Sequence, residues 1–296
     1  MKMYDFRNID QCAYPIESKV QTIIDGINLD ETINGFMTLA VYGRELVGRN
    51  IETYEFRKIQ IGRKTRTYAN QNSLSSNYES RFISSSIASR EFTVKFVLMA
   101  KDEEDYFSKF EELNFYLDKE DVKIRFTDDI EFYYWGTVTK VESPQEDNLK
   151  AICNISIEVS NPFKFRVDSE KINFNTRTKI TKDTRYPLKI EKIKIDLKTS
   201  GNKLILKNLT DGRRIIFDKN FAAGDFIIID FNDWSIRGKG DENFYKYLDI
   251  HSQLEEFAIN TYDEIETNLN CDVEIEYREV RLWFIYLTTK KIYWEN

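Results

Sequence analysis

Hydrophobic and polar positions alternate most regularly over residues 90–165, where the pattern predicts strand, helix, strand, strand, strand. Phe92, Val94, Phe96 and Leu98 alternate with Thr93, Lys95 and Val97, the period of a strand with one buried face. Asp102 followed by Asp105 marks a helix start, with carboxylates at the positive end of the helix dipole. Tyr106, Phe110, Leu113 and Leu117 then recur on one helical stripe. Val122, Ile124 and Phe126 alternate with Lys123 and Arg125, and residues 132–141 are aromatic and β-branched. Leu149, Ala151, Cys153, Ile155, Ile157 and Val159 hold a period of two. The stripe and the sheet face can bury each other, giving an α+β domain with a β-sheet core and one packed helix.

On either side the pattern is weaker. Residues 1–20 show no period; Asp25-Gly26 and Asn34-Gly35 are turn signals, with strands expected at 36–42 and 45–56 and a close at Ile59-Gln60-Ile61 before Gly62. Residues 63–89 are rich in Ser, Asn, Arg and Tyr, and read either as a surface loop or as a hairpin arm that orders on a neighbouring subunit. On the second reading Arg63, Tyr68, Tyr78, Phe82, Ile83 and Arg90 are subunit-interface candidates. Pro162-Phe163 ends the last strand of the core, because proline cannot donate to a ladder. The Lys-, Arg- and Thr-rich stretch 166–186 is the expected boundary, dividing the chain into domains 1–170 and 171–296. Beyond it short strands are expected at 188–197, 204–208, 214–217, 226–231, 234–237, 273–277 and 281–286. They are separated by Ser200-Gly201-Asn202, Asp211-Gly212, Ala223-Gly224-Asp225 and a turn at 238–242, a spacing that predicts an all-β sandwich.

Composition narrows the function classes. With 296 residues the chain is long enough for two cores, and 31% charged against 41% hydrophobic residues is the balance of a folded protein. The net charge of −7 argues against a nucleic-acid grip and suits a surface that DNA passes without sticking. No run is long and apolar enough for a membrane span, and 1–15 lack a signal-peptide core. Cys12, Cys153 and Cys271 are odd in number and far apart, and are expected to be reduced thiols of a protein made in the cytoplasm.

Catalytic chemistry is sparse. The single histidine, His251, lies beside Asp249 and Ser252, but neighbours in sequence point in different directions and a structural role is expected. Glu103-Glu104, Glu111-Glu112 and Asp128-Asp129 offer paired carboxylates without opposed environments, so a glycoside hydrolase is the weakest reading. Gly62-Arg63-Lys64-Thr65 lacks the earlier glycine of a phosphate loop, and no cofactor, calcium or zinc spacing occurs. Trp234, Tyr245 and Tyr247 are expected mainly in a core; Trp234 and Tyr245 are also glycan-stacking candidates, which makes a carbohydrate-binding module adsorbing to cell-wall glycan the alternative function.

The order of these segments resembles the distal tail protein (Dit) family of long-tailed phages with non-contractile tails. The likeness is carried by 92–100, the helix from Asp102 to Asp118 and Asn161-Pro162-Phe163. Further on it is carried by 201–208 with Gly212, by Ala223-Gly224-Asp225 leading into 227–230, and by 248–257. At Gly62-Arg63-Lys64-Thr65 the chain departs from the family's Gly-Arg-Asp-Gly turn, and its C-terminal domain is too short for the long inserted arm of some members. The resemblance implies a virion structural protein, not an enzyme, encoded by a phage or prophage. It also implies a galectin-like C-terminal sandwich and a homohexameric baseplate-hub ring at the tail tip. That ring would meet the tail tube protein and a tail-associated lysin or fibre, and DNA would pass through it without specific binding.

Overall fold

The computed structural model describes residues 20–44, 49–52, 56–61, 64–70, 80–87, 89–142, 149–182 and 186–282, with the backbone alone between 49 and 87. The chain is mostly β-structure and divides into two compact units, 1–130 with 134–162, and 131–133 with 163–296.

In the first unit, β1 (Thr22–Ile24) and β2 (Ile27–Asn28) form a hairpin, followed by one helical turn, α1 (Leu29–Thr32), and by β3 (Phe36–Tyr42). Asp25 and Gly26, at φ 50° and 84°, make the two-residue turn that their sequence announces. Next come β4 (Arg49–Glu52), β5 (Phe56–Ile61), β6 (Lys64–Asn70) and β7 (Ser80–Ile87), an antiparallel sheet in sequence order. Within 63–89 the described residues 64–70 and 80–87 are strands, which corrects the loop reading there. Thr65, Thr67 and Tyr68 have strand propensity, but no apolar alternation advertises it. After them run β8 (Arg90–Met99), α2 (Glu103–Leu117), β9 (Val122–Phe126), β10 (Phe132–Val141) and β11 (Lys150–Val159).

The main sheet of this unit has the order β2-β1-β9-β10-β11-β8-β3. Phe92, Val94, Phe96, Leu98, Val122, Ile124, Phe126 and the odd positions 151–159 are buried, as their period predicts, and Leu113 and Leu117 of α2 join the same core. Leu149 is the exception: it precedes the first paired residue of β11 and is 42% exposed. Asp102 caps α2 by accepting from the Asp105 N–H at 2.8 Å. Asp105 in turn accepts from the Lys101 N–H and from Lys109 Nζ, and Lys109 holds its carboxyl below the usual carboxylate range.

The two ends of this sheet meet. Thr22 of β1 and Thr38 of β3, both buried, share a hydroxyl–hydroxyl hydrogen bond of 2.9 Å. No backbone ladder joins β1 to β3 among the described residues; Asp30 of α1 stands between them. Its carboxylate accepts from the Thr22 N–H (3.0 Å), the Thr38 N–H (2.6 Å) and the Thr38 hydroxyl (2.7 Å). One side chain thus supplies the acceptors that a neighbouring strand would have offered, and closes the sheet on itself.

The second unit begins with Glu131–Tyr133, of which Phe132 and Tyr133 open β10 and pair with β12 (Lys164–Arg166). There follow β13 (Glu170–Asn175), β14 (Arg177–Lys179), β15 (Lys189–Leu197), β16 (Gly201–Asn208), β17 (Arg214–Phe221), β18 (Phe226–Asp230), β19 (Ser235–Gly238), β20 (Glu264–Thr267), β21 (Cys271–Arg278) and β22 (Val280–Arg281). A five-stranded sheet, β13-β21-β15-β18-β19, and a four-stranded one, β14-β20-β16-β17, share one core. Ile193, Ile195, Val273 and Ile275 come from the first, and Leu204, Leu206, Phe217 and Ile265 from the second. The expected strands at 188–197, 204–208, 214–217, 226–231, 234–237 and 273–277 are all present within a few residues, whereas 283–286 lie outside the described residues. Strands β12, β13, β14 and β20 carry too little alternation to be read in advance, although Phe174 of β13 is buried. Cys153 and Cys271 are buried free thiols, raised above the usual range by burial; Cys12 lies outside the described residues.

The Asp30 clasp generates a direct expectation. Asp30→Ala removes three hydrogen bonds to one carboxylate and leaves two backbone donors without acceptors, and is expected to cost about 3 kcal/mol or more. Urea unfolding checks this; an unchanged midpoint would show that the seam holds without the carboxylate.

Candidate interaction surfaces

The hairpin of β6 and β7 places three of the sequence-predicted interface residues. Tyr68 pairs with Phe82, while Thr67 pairs with Ser84, so Ile83 is the extra residue of a β-bulge. β7 stands at one end of its sheet and β4 at the other, so among the described residues each has one side with no strand paired to it. Arg63 and Tyr78 lie outside the described residues. Arg90 is a core residue: it is 1% exposed, with its guanidinium 5.7 Å from the centre of the Tyr134 ring. The alternation that buries Phe92 and Val94 carries Arg90 to the same face, which corrects its reading as a surface contact.

Trp234 and Tyr245 are brought together. Trp234 sits in the turn between β18 and β19 at φ 55°, a left-handed conformation that a bulky residue adopts rarely and that marks a constrained tip. The Tyr245 hydroxyl donates to the Trp234 carbonyl, and Phe231 meets the indole edge-on at 5.9 Å. Both rings are exposed, Trp234 at 48% and Tyr245 at 40%, which corrects the expectation that they are core. Tyr247, by contrast, is half-buried against the core and stacks edge-on with Phe244.

The loop that carries Tyr245 is held by Glu242. Its carboxylate accepts from Lys219 Nζ (3.0 Å), from the Tyr247 hydroxyl (2.9 Å) and from Lys246 Nζ (2.7 Å). These donors, Lys246 foremost, hold its carboxyl at about 2, well below the usual carboxylate range. Gly238 is fixed beside this loop, because a Cβ there would fall 1.8 Å from the Phe244 ring.

The supposed catalytic trio does different work. The Ser252 hydroxyl donates to the Ile216 carbonyl and accepts from the Ile216 N–H. Asp249 accepts from the His251 backbone N–H and from Lys203 Nζ. His251 itself is exposed. Glu103, Glu104, Glu111 and Glu112 are exposed on α2, and Asp128 is engaged by both terminal nitrogens of Arg44 at 2.8 Å. Among the described residues no three His, Cys, Asp or Glu side chains are placed to hold a metal, and no helix is long and apolar enough to cross a membrane.

The outer face of the five-stranded sheet is a lattice of paired charges. Lys171 meets Glu274 at 2.8 Å, Lys194 meets Asp196 at 2.9 Å and Lys198 meets Asp272 at 2.6 Å. A shallow depression of about 370 Å³ on this face is lined by Asn173, Asn175, Asp272 and Glu274 together with Lys194 and Asp196. Such surface pairs contribute little to stability and leave the face polar and solvated.

The depressed Glu242 carboxyl has a pH consequence with a definite sign. Its contribution to holding the Tyr245 loop is fully present above about 4.5, the ordinary glutamate value, and is lost as the pH falls through about 2. Carbon-detected titration of the Glu242 side chain is expected to give a midpoint near 2; a midpoint near 4.5 would show that the three donors do not engage it in solution.

Comparison with known proteins bears on this arrangement. Residues 49–161, from β4 through α2 to β11, match the family model of the phage tail protein RIFT-related domain. Among solved structures, that of the phage SPP1 Dit protein, described as a paradigm of the hub adsorption apparatus in Gram-positive-infecting phages, superposes with a TM-score of 0.67. It is 15% identical and covers 89% of this chain and 99% of its own. The baseplate of phage P2 in its activated conformation with calcium matches at a TM-score of 0.46 and 14% identity, over 90% of this chain and 99% of its own. No curated protein sequence matches significantly. Residues 49–161 carry the likeness to the phage tail protein RIFT-related domain, and over 89% of its length the chain shares the fold of the SPP1 Dit protein.

Proposed function

We propose that the chain is the distal tail component of a long-tailed phage, or of a prophage particle. In this reading it is a non-enzymatic hub at the virion tail tip, made in the host bacterial cytoplasm. Six first units close into a ring around the DNA channel, and each second unit is a galectin-like sandwich. One side of the ring meets the tail tube protein and the other a tail-associated lysin or fibre. The observation that carries this reading is the likeness to the SPP1 hub over nearly the full length of both chains. The net charge of −7 supports it, because a channel that passes DNA must repel rather than bind the phosphate backbone. The β6–β7 hairpin, with Tyr68, Phe82 and Ile83, supports ring closure: a head-to-tail contact that fits the rotation gives a finite ring, and β7 offers a strand edge for a neighbour to pair with. Arg63 and Tyr78 belong to the same proposed contact by their place in the sequence.

A second reading draws on Trp234 and Tyr245. Two exposed aromatics, Trp234 on a constrained turn and Tyr245 tied to its carbonyl from a neighbouring loop, are the kind of platform on which a sugar ring stacks, and they favour adsorption to cell-wall glycan through the second unit. The one ring that lines the depression on the five-stranded sheet, Phe174, is buried, so this reading is confined to the Trp234 turn.

Negative-stain images of the purified chain are expected to show a six-lobed annulus. Single unassociated particles, even when tail tube and tip components are added, would contradict the hub reading. For the glycan reading, retention of the full chain on purified cell walls is expected to fall about tenfold in Trp234→Ala, the scale of one lost aromatic contact; equal retention would dismiss it.

A further inference from the structure

The β4–β7 sheet is an insertion between two paired strands of the main sheet. β3 and β8 pair with each other from Phe36 opposite Leu98 to Tyr42 opposite Thr93, and β4 to β7 lie in the chain between them. The two ends of this arm part at different levels. β8 stays laddered to β11 as far back as Arg90, opposite Val159, whereas β3 ends at the level of Thr93.

The root of the arm is held at three points. Gly43, at φ 87°, carries the outgoing chain so close to β8 that a Cβ there would fall 2.0 Å from the Glu91 carbonyl oxygen. Arg44, the next residue, lies 4.8 Å over the Phe126 ring and donates from both terminal nitrogens to the Asp128 carboxylate, at 2.8 Å each. The Arg44 side chain is only 10% exposed and that of Asp128 16%. On the returning chain, Arg90 is buried with its guanidinium over the Tyr134 ring. The outgoing chain is thereby tied to the turn that follows β9, and the returning chain to β10.

A sheltered ion pair is a poor way to gain stability, because the charges lose in hydration much of what they gain in attraction. Apolar side chains of similar size would hold the same two segments as firmly. What apolar side chains lack is direction. A guanidinium and a carboxylate joined by two parallel hydrogen bonds meet in one plane, and here that plane is also set by the Phe126 ring beneath.

We propose that the Arg44–Asp128 pair presets the direction in which the β4–β7 arm leaves the core, so that each copy of this chain holds its arm ready before a neighbour arrives. Asp128, one of the paired carboxylates without catalytic surroundings, is then a positioning residue that acts through Arg44. An arm free to swing would spend only a fraction of its time in the competent direction, and the apparent affinity between copies would fall by that fraction. The proposal rests on the hub reading for the use of the arm, but the preset root is a property of the single chain.

Distances between spin labels in the full chain, at a dilution where it is monomeric, test it. In a Cys12→Ser background with labels at Ser84→Cys in β7 and Glu104→Cys on α2, one narrow distance distribution is expected. Arg44→Met combined with Asp128→Leu keeps a contact and removes the fork. This double variant is expected to melt at an unchanged temperature, to broaden the distribution, and to weaken self-association about tenfold. Arg44→Lys keeps the charge without the fork, and is expected to broaden the distribution even should the double variant fail to fold. A broad distribution in the chain with Arg44 and Asp128 intact, or a narrow one in the variants, would overturn the proposal. A broadened arm with unchanged self-association would overturn the link from root to assembly and leave the hub reading intact. Narrow distances in a chain that never assembles would overturn the hub reading and leave the preset root standing.

Discussion

A curved sheet has two ends, and whatever closes them decides whether its core stays dry. In the first unit that task falls to one carboxylate. Asp30 accepts from the backbone and side chain of Thr38 and from the backbone of Thr22, and the two threonine hydroxyls bond to each other beneath it. Hydrogen bonds to an ionised acceptor are stronger than those between neutral groups, and here they stand where a backbone ladder is missing. Behind this seam lie Phe36, Phe92, Phe96 and Phe126, with Phe36 and Phe96 stacked at 5.0 Å. Leu113 and Leu117 of α2 are buried in the same core.

Much of the architecture was legible because burial on one face imposes a period. The alternation from Phe92 to Leu98 and from Ala151 to Val159 placed β8 and β11, and the stripe from Tyr106 to Leu117 placed α2 with its cap at Asp102. The Asp-Gly and Gly-Asp turns punctuated the second unit. What was illegible lacks an apolar face of its own. β6 and β7 are joined by backbone pairing and their sequences are rich in Thr and Ser, β13 and β14 are short and charged, and Asp30 sits in a four-residue helical turn that resembles any acidic loop. Trp234 was misplaced for a related reason: hydrophobicity says that a tryptophan prefers a core, but only the left-handed turn at its position shows that it is held out. Arg90 was misplaced in the opposite sense, since charge predicted exposure while its place in the alternation dictated burial.

The two units divide two kinds of surface. The second encloses its core between two sheets and carries matched charges on the outer face of the larger one, while its exposed Trp234, Tyr245, Ile250 and Tyr262 lie outside the strands. The first leaves apolar side chains uncovered on both the helix and the sheet. Exposed apolar surface on a folded unit is a site of association when it is contiguous and rimmed by charge. Its presence in the unit that contains the family-matched segment agrees with the proposal that copies of this chain join one another.

That claim is tested most directly by the mass of the particle in solution. Light scattering on the purified chain across a range of concentrations is expected to show a species of about 211 kDa, six times the 35.2 kDa chain, once association is favoured. A constant mass near 35.2 kDa at every concentration, with the chain folded, would contradict it.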